Sequence, residues 1–170
     1  NITLVQAISR GERMDYSLQK ATELGISCIQ PVTSQRVEVR LDEKRRLKRL
    51  AHWQGVVVSA CEQSGRATVP EVMPSCTLDD WLDRPDTSTR LILDPDADLK
   101  LSGILHETAK YSIIVGPEGG FTTEELKRAR QKGVTAVSLG PRVLRTETAG
   151  PVAIAVIQTV HGDLLLTGFG

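Results

Sequence analysis

Short apolar runs alternate with amphipathic stretches along the whole chain. Residues 2–8 (ITLVQAI) are apolar and β-rich, so they predict a strand. Met14, Leu18, Ala21 and Leu24 recur at helical spacing, and Gly25 follows as a stop. Residues 26–32 predict a second strand and residues 37–39 an extended segment. A long helix is expected from Asp42 to about Gln63, with Leu47, Leu50, Ala51, Val57, Val58 and Cys61 on its apolar side. Residues 68–72 read as a short strand, 77–82 as a short capped helix and 89–93 (TRLIL) as a strand closed by the DPDAD loop. Residues 112–115 form the next strand. Thr122 and Glu125 have the spacing of a capping box, opening a helix that runs to Lys132 and stops at Gly133. A strand at 134–139 and an apolar helix at 153–160 complete the pattern. Alternating strands and helices predict one α/β domain over residues 1–170, a mostly parallel sheet with helices on both faces.

Composition narrows the partners. At 40% hydrophobic and 25% charged the chain can bury a core. Its formal net charge is zero, so nucleic-acid binding requires a local patch. One such patch is available: residues 36–49 carry Arg36, Arg40, Lys44, Arg45, Arg46, Lys48 and Arg49 against Glu38, Asp42 and Glu43, unless they form an ordinary solvated helix face. Cys28, Cys61 and Cys76 are odd in number and contain no CxxC pair, which predicts reduced thiols in a cytoplasmic protein and no structural zinc. The histidines lack metal-ligand spacing, so no metal is expected. No apolar run reaches the ~18 residues of a membrane span. The chain opens at Asn1, already inside an apolar run, from which we expect a further N-terminal part.

In open parallel sheets ligands bind beyond the carboxyl ends of the strands. The loops after Leu93, Val115 and Leu139 qualify, and the last two are Gly-rich. GPEGG (116–120) is neither GxGxxG nor GxxxxGK[ST]. Glu118 would repel a phosphate held on the backbone amides. A neutral or cationic adenosine-type ligand is compatible, and S-adenosylmethionine is one that carries no phosphate. The same residues also suit a plain tight turn cornered by Pro117, with Glu118 solvated or capping the next helix. The second loop, LGPRVLRTETA (139–149), opens the last helix somewhere between Thr146 and Thr148, with Thr as the expected N-cap and Pro151 in or near the first turn. Arg145 then lies at a helix amino end, which disfavours a cation. It reads either as a surface partner of Glu147 or as an arginine aimed at substrate.

Together the motifs resemble one family. GPEGGF followed by LGPRVLRTETA is similar to the bacterial 16S ribosomal RNA uridine-N3 methyltransferases, the RsmE type of the SPOUT superfamily. KATELG (20–25), SQR (34–36) and ACEQSGR (60–66) followed by Val69 and Pro70 resemble further motifs of that family. Gln35 stands where the family has Glu, and Gly150-Pro151 is a less usual continuation of ETA.

The resemblance implies a C-terminal deep trefoil knot, rare among proteins, a homodimer, and an N-terminal PUA-like RNA-binding barrel that is not among these residues. It implies S-adenosylmethionine held at Leu93, Gly116, Pro117, Gly119, Gly120, Leu139, Gly140, Val143 and Leu144. It implies methyl transfer to uridine N3 in 16S ribosomal RNA or the small subunit; for that chemistry Arg145 is the candidate stabilising cation or RNA-orienting group, and Glu118 and Glu147 are the candidate bases. Arg36, Arg66 and Arg142 are the expected RNA contacts. The alternatives are another SPOUT enzyme acting on ribose 2′-O or guanine, and a non-catalytic RNA-binding module of the same fold. A nucleotide-dependent oxidoreductase lacks its GxGxxG signature here.

Overall fold

A computed structural model describes residues 1–36, 43–105 and 110–164. The expected segment around Val37 and Val39 and the helix opener Asp42 lie outside the described residues. The elements run β1 (Ile2–Ala7), α1 (Glu12–Glu23), β2 (Cys28–Thr33), α2 (Glu43–Ser64), β3 (Glu71–Val72), β4 (Cys76–Thr77), α3 (Leu78–Leu82), β5 (Thr89–Leu93), α4 (Leu101–Ile104), β6 (Tyr111–Val115), α5 (Thr123–Gln131), β7 (Thr135–Val137) and α6 (Thr146–His161).

The strands form one sheet in the order β3-β2-β1-β6-β5-β7, with β4 also on β2. Every pairing between them is parallel. Alternation along each strand builds two cores. Leu4, Ile29, Leu91, Ile113 and Val115 face Met14, Leu18, Trp53, Val57, Ile154 and Ile157 from α1, α2 and α6. Val5, Val32, Ile92 and Ile114 face Leu78, Trp81 and Leu82 of α3 and Ala129 of α5. Each fully buried Leu or Ile is worth about 1.5–3 kcal/mol.

The capping box forms as expected: Thr122 accepts from the Glu125 amide while the Glu125 side chain accepts from the Thr122 amide. Gly25 and Gly133 end their helices at φ +88° and +77°, a conformation that favours glycine. Two expectations are corrected. On α2 the buried residues are Trp53, Val57, Ala60 and Cys61, while Leu47 and Val58 are exposed and Ala51 lines a surface groove. The helix outruns α1, so its first turns find no core to cover. On α6 the residue at the N-cap is Arg145, with no side-chain cap, because the Thr146 hydroxyl is engaged elsewhere. Pro151 therefore sits inside the helix and has no N–H to give the Glu147 carbonyl.

Candidate active site

The carboxyl ends of the strands carry a cleft of about 740 Å³. Its walls come from the loops after β5, β6 and β7 and from the start of α6, which places Leu93, Gly116, Pro117, Gly119, Gly120, Leu139, Val143 and Leu144 together as expected. Glu118, Glu147, Arg145, Arg36 and Arg142 line it too. Gly140 does not line the cleft; it turns the chain behind Leu139 at φ +118°. Arg66 lies elsewhere. Its guanidinium donates to the Thr22 and Ile26 carbonyls at 2.7 and 2.8 Å, fastening the end of α2 to the turn between α1 and β2, away from the cleft.

The two Gly-bearing loops are fixed from below and from the side. Thr146 Oγ1 donates to the Gly116 carbonyl at 2.6 Å and accepts from Gln6 Nε2 at 3.1 Å. Gln6 is fully buried in the central strand β1. Gly116 packs closely against Phe121: a Cβ there would lie 3.0 Å from the ring. Gly150 brings α6 close to the sheet, where a Cβ would stand 3.4 Å from Leu4. Gln35 joins the site's frame without needing a charge: its main-chain N–H donates to the buried Glu125 carboxylate at 2.8 Å, and its side-chain oxygen accepts from the Thr122 hydroxyl at 3.2 Å.

The electrostatics separate the charged candidates. Glu118 pairs with Arg13, and this hydrogen bond and its charge push the Arg13 guanidinium above its usual range, with a smaller contribution from Glu147. Arg36 donates to the Gly119 carbonyl. The Arg145 carbonyl accepts from the Thr148 and Ala149 amides, both at 2.9 Å, but among the described residues its guanidinium makes no hydrogen bond or ion pair, so the Arg145–Glu147 surface pair is not formed. Asp94, almost fully buried, lines the cleft and accepts from the Asp96 amide at 3.1 Å.

Sequence reasoning missed Arg13 and Asp94. The signal for Arg13 was available: the loop after β1 ends at the same sheet edge as the three loops considered. For Asp94 it was the DPDAD loop itself, read as a connection.

Residues 1–158 match the RNA methyltransferase domain family. The chain is 34% identical over 164 residues to ribosomal RNA small subunit methyltransferase E of Buchnera aphidicola, covering 96% of this chain and 67% of that protein. The chain belongs to this RNA methyltransferase family. Among solved structures it resembles ribosomal RNA small subunit methyltransferase E of Neisseria gonorrhoeae bound to S-adenosyl methionine, at 52% identity and a TM-score of 0.92 over 96% of this chain and 68% of that one. It also resembles a Legionella pneumophila methyltransferase in complex with the same cofactor, at 39% identity and a TM-score of 0.91, over 96% of this chain and 67% of that one. The chain thus spans about two thirds of the length of these relatives. No described helix is long and apolar enough to cross a membrane.

Proposed function

We propose that this domain is an S-adenosylmethionine-dependent methyltransferase acting on N3 of a uridine in 16S ribosomal RNA. The observation that carries the reading is the cleft itself, in which the 116–121 and 139–147 loops converge around an unpartnered Arg145 guanidinium. Its chemistry suits the cofactor. Glycine backbone lets a ligand approach closely. Asp94, Asp96, Glu118 and Glu147 suit a cation and disfavour phosphate. When bound, S-adenosylmethionine supplies an electrophilic methyl group on a sulfonium.

Leu139, Val143 and Leu144 provide apolar walls. Val143 is 80% exposed, a surface that a ligand would cover. Uridine N3 must give up its proton as it attacks. Glu118 is tied to Arg13, whereas Glu147 accepts no hydrogen bond among the described residues, so Glu147 is the better base. Arg145, at the mouth of the same helix, stabilises the negative charge that spreads onto the uracil oxygens. Arg36 and Arg142 face the incoming strand. In this reading the protein is a cytoplasmic homodimer whose C-terminal segment is threaded as a trefoil knot.

The test is calorimetric titration with S-adenosylmethionine, paired with nucleoside analysis of methylated 16S ribosomal RNA. Arg145→Ala keeps cofactor affinity within about twofold and loses 3-methyluridine formation, by about 10²–10³ in rate. Gly119→Val abolishes cofactor binding. No binding by the folded wild type overturns the reading, and methylation at ribose 2′-O or guanine redirects it within the superfamily.

A further inference from the structure

The amino-terminal turns of α2 hold Lys44, Arg45, Arg46, Lys48 and Arg49 against a single carboxylate, Glu43. Lys44 with Lys48, and Arg45 with Arg49, are like charges one turn apart, an arrangement that destabilises an isolated helix. Nothing in the core requires these turns, since the buried residues of α2 begin at Trp53. Their position relative to the cleft follows from two fixed points. His52 hydrogen-bonds Asp15 at 2.8 Å near the start of α1. At the other end, Arg66 holds the Thr22 and Ile26 carbonyls. The helix α2 therefore runs alongside α1 in the same direction. Glu43 lies nine residues ahead of His52, whereas Glu12 lies only three ahead of Asp15. At 1.5 Å per residue, α2 overhangs the start of α1 by about 9 Å. Arg13, in the first turn of α1, lines the cleft. The overhang is thus on the cleft side of the sheet, beyond the rim carrying Arg13 and Arg36. Among the described acids nearby, Asp15 is hydrogen-bonded to His52, Glu118 is paired with Arg13 and Glu12 lies in the groove between α1 and α2, so Lys44, Lys48 and Arg49 stay in excess.

From this we infer that the overhanging cationic turns of α2 form a docking track for the phosphate backbone of the RNA strand that presents its base to the cleft. The inference rests on the RNA-methyltransferase reading and adds to it a second, sequence-independent contact. The track acts through charge rather than shape, since Lys and Arg on two exposed turns read phosphates and not bases.

The experiment compares the wild type with a Lys44→Ala, Lys48→Ala, Arg49→Ala triple variant on a 16S ribosomal RNA transcript. Binding is measured against KCl concentration, and methyl transfer is measured in parallel. Alanine is the better helix former and removes the like-charge pairs, so thermal stability holds or rises. The slope of log affinity against log salt is expected to fall in magnitude by about two, at ~0.7 for each phosphate no longer neutralised. The RNA KM rises about tenfold at 100 mM KCl, kcat stays within about twofold, and S-adenosylmethionine affinity is unchanged. A Lys44→Arg, Lys48→Arg variant keeps the wild-type slope. An unchanged slope and KM in the triple variant overturn the track and leave the patch to an acidic protein partner. The binding arm needs no cofactor, so loss of methyl transfer in the wild type would fault the enzymatic reading separately.

Discussion

The Thr146 hydroxyl donates to the Gly116 carbonyl at 2.6 Å while accepting from the fully buried Gln6 amide at 3.1 Å. One side chain thus ties the central strand, the glycine loop after β6 and the first turn of α6 into one frame. It also explains why Arg145, and not a threonine, stands at the N-cap of α6.

Removing that hydroxyl has a defined cost. Thr146→Val leaves the Gln6 amide donor without this partner in a buried site, and an unmade buried hydrogen bond costs about 1–3 kcal/mol. We expect denaturant unfolding to show that loss, together with weaker cofactor binding. Thr146→Ser keeps the hydroxyl and restores most of both.

Gly116 and Phe121 form the floor of the glycine loop. Since an added Cβ would meet the ring at 3.0 Å, Gly116→Ala must displace Phe121. The expected outcome is about tenfold weaker S-adenosylmethionine binding by calorimetry. Truncating the ring in the Gly116→Ala, Phe121→Leu pair recovers part of that loss.

Arg66 should behave as a structural residue. Arg66→Ala removes two hydrogen bonds from a charged donor to main-chain carbonyls, and we expect a stability loss of about 2 kcal/mol in thermal unfolding. Its RNA affinity and salt slope remain those of the wild type. A drop in RNA affinity without a drop in stability would return Arg66 to the RNA surface.

Asp86 gives a pH signature. Burial alone would raise its carboxyl, but hydrogen bonds from the Ser88 amide and hydroxyl and from Arg90, with the Arg90 charge, outweigh that and hold it below the usual 3.8. A carboxyl depressed in the folded state stabilises fully above the unfolded value and loses that contribution as pH falls through the folded one. Asp86→Asn should therefore be less stable than the wild type at pH 7. The gap should close as pH drops below 3.8. A gap independent of pH would place the effect in packing against Trp81, over whose ring Arg90 sits at 4.6 Å.

What local sequence fixes by itself is visible at α5, where the Thr122 and Glu125 spacing specifies a capping box that the fold reproduces. The same holds for β5, whose bounds at Thr89–Leu93 match the apolar run, and for the ends of α1 and α5 at Gly25 and Gly133. Strand period, caps and positive-φ glycines act within a few residues, so they are legible without tertiary context. The motif loops 116–120 and 139–147 were legible for the same reason: only glycine and proline chemistry shapes them locally. The tertiary structure decided what depends on distant partners. It brought Arg13, from the first turn of α1, onto Glu118 and sent Arg66 to the Thr22 and Ile26 carbonyls. It also left the apolar Leu47 in solvent because α2 extends past the sheet it covers. No residue's neighbours in sequence could have set these outcomes, since each depends on which strand lies beside which, and the parallel order β3-β2-β1-β6-β5-β7 emerges only when the whole sheet assembles.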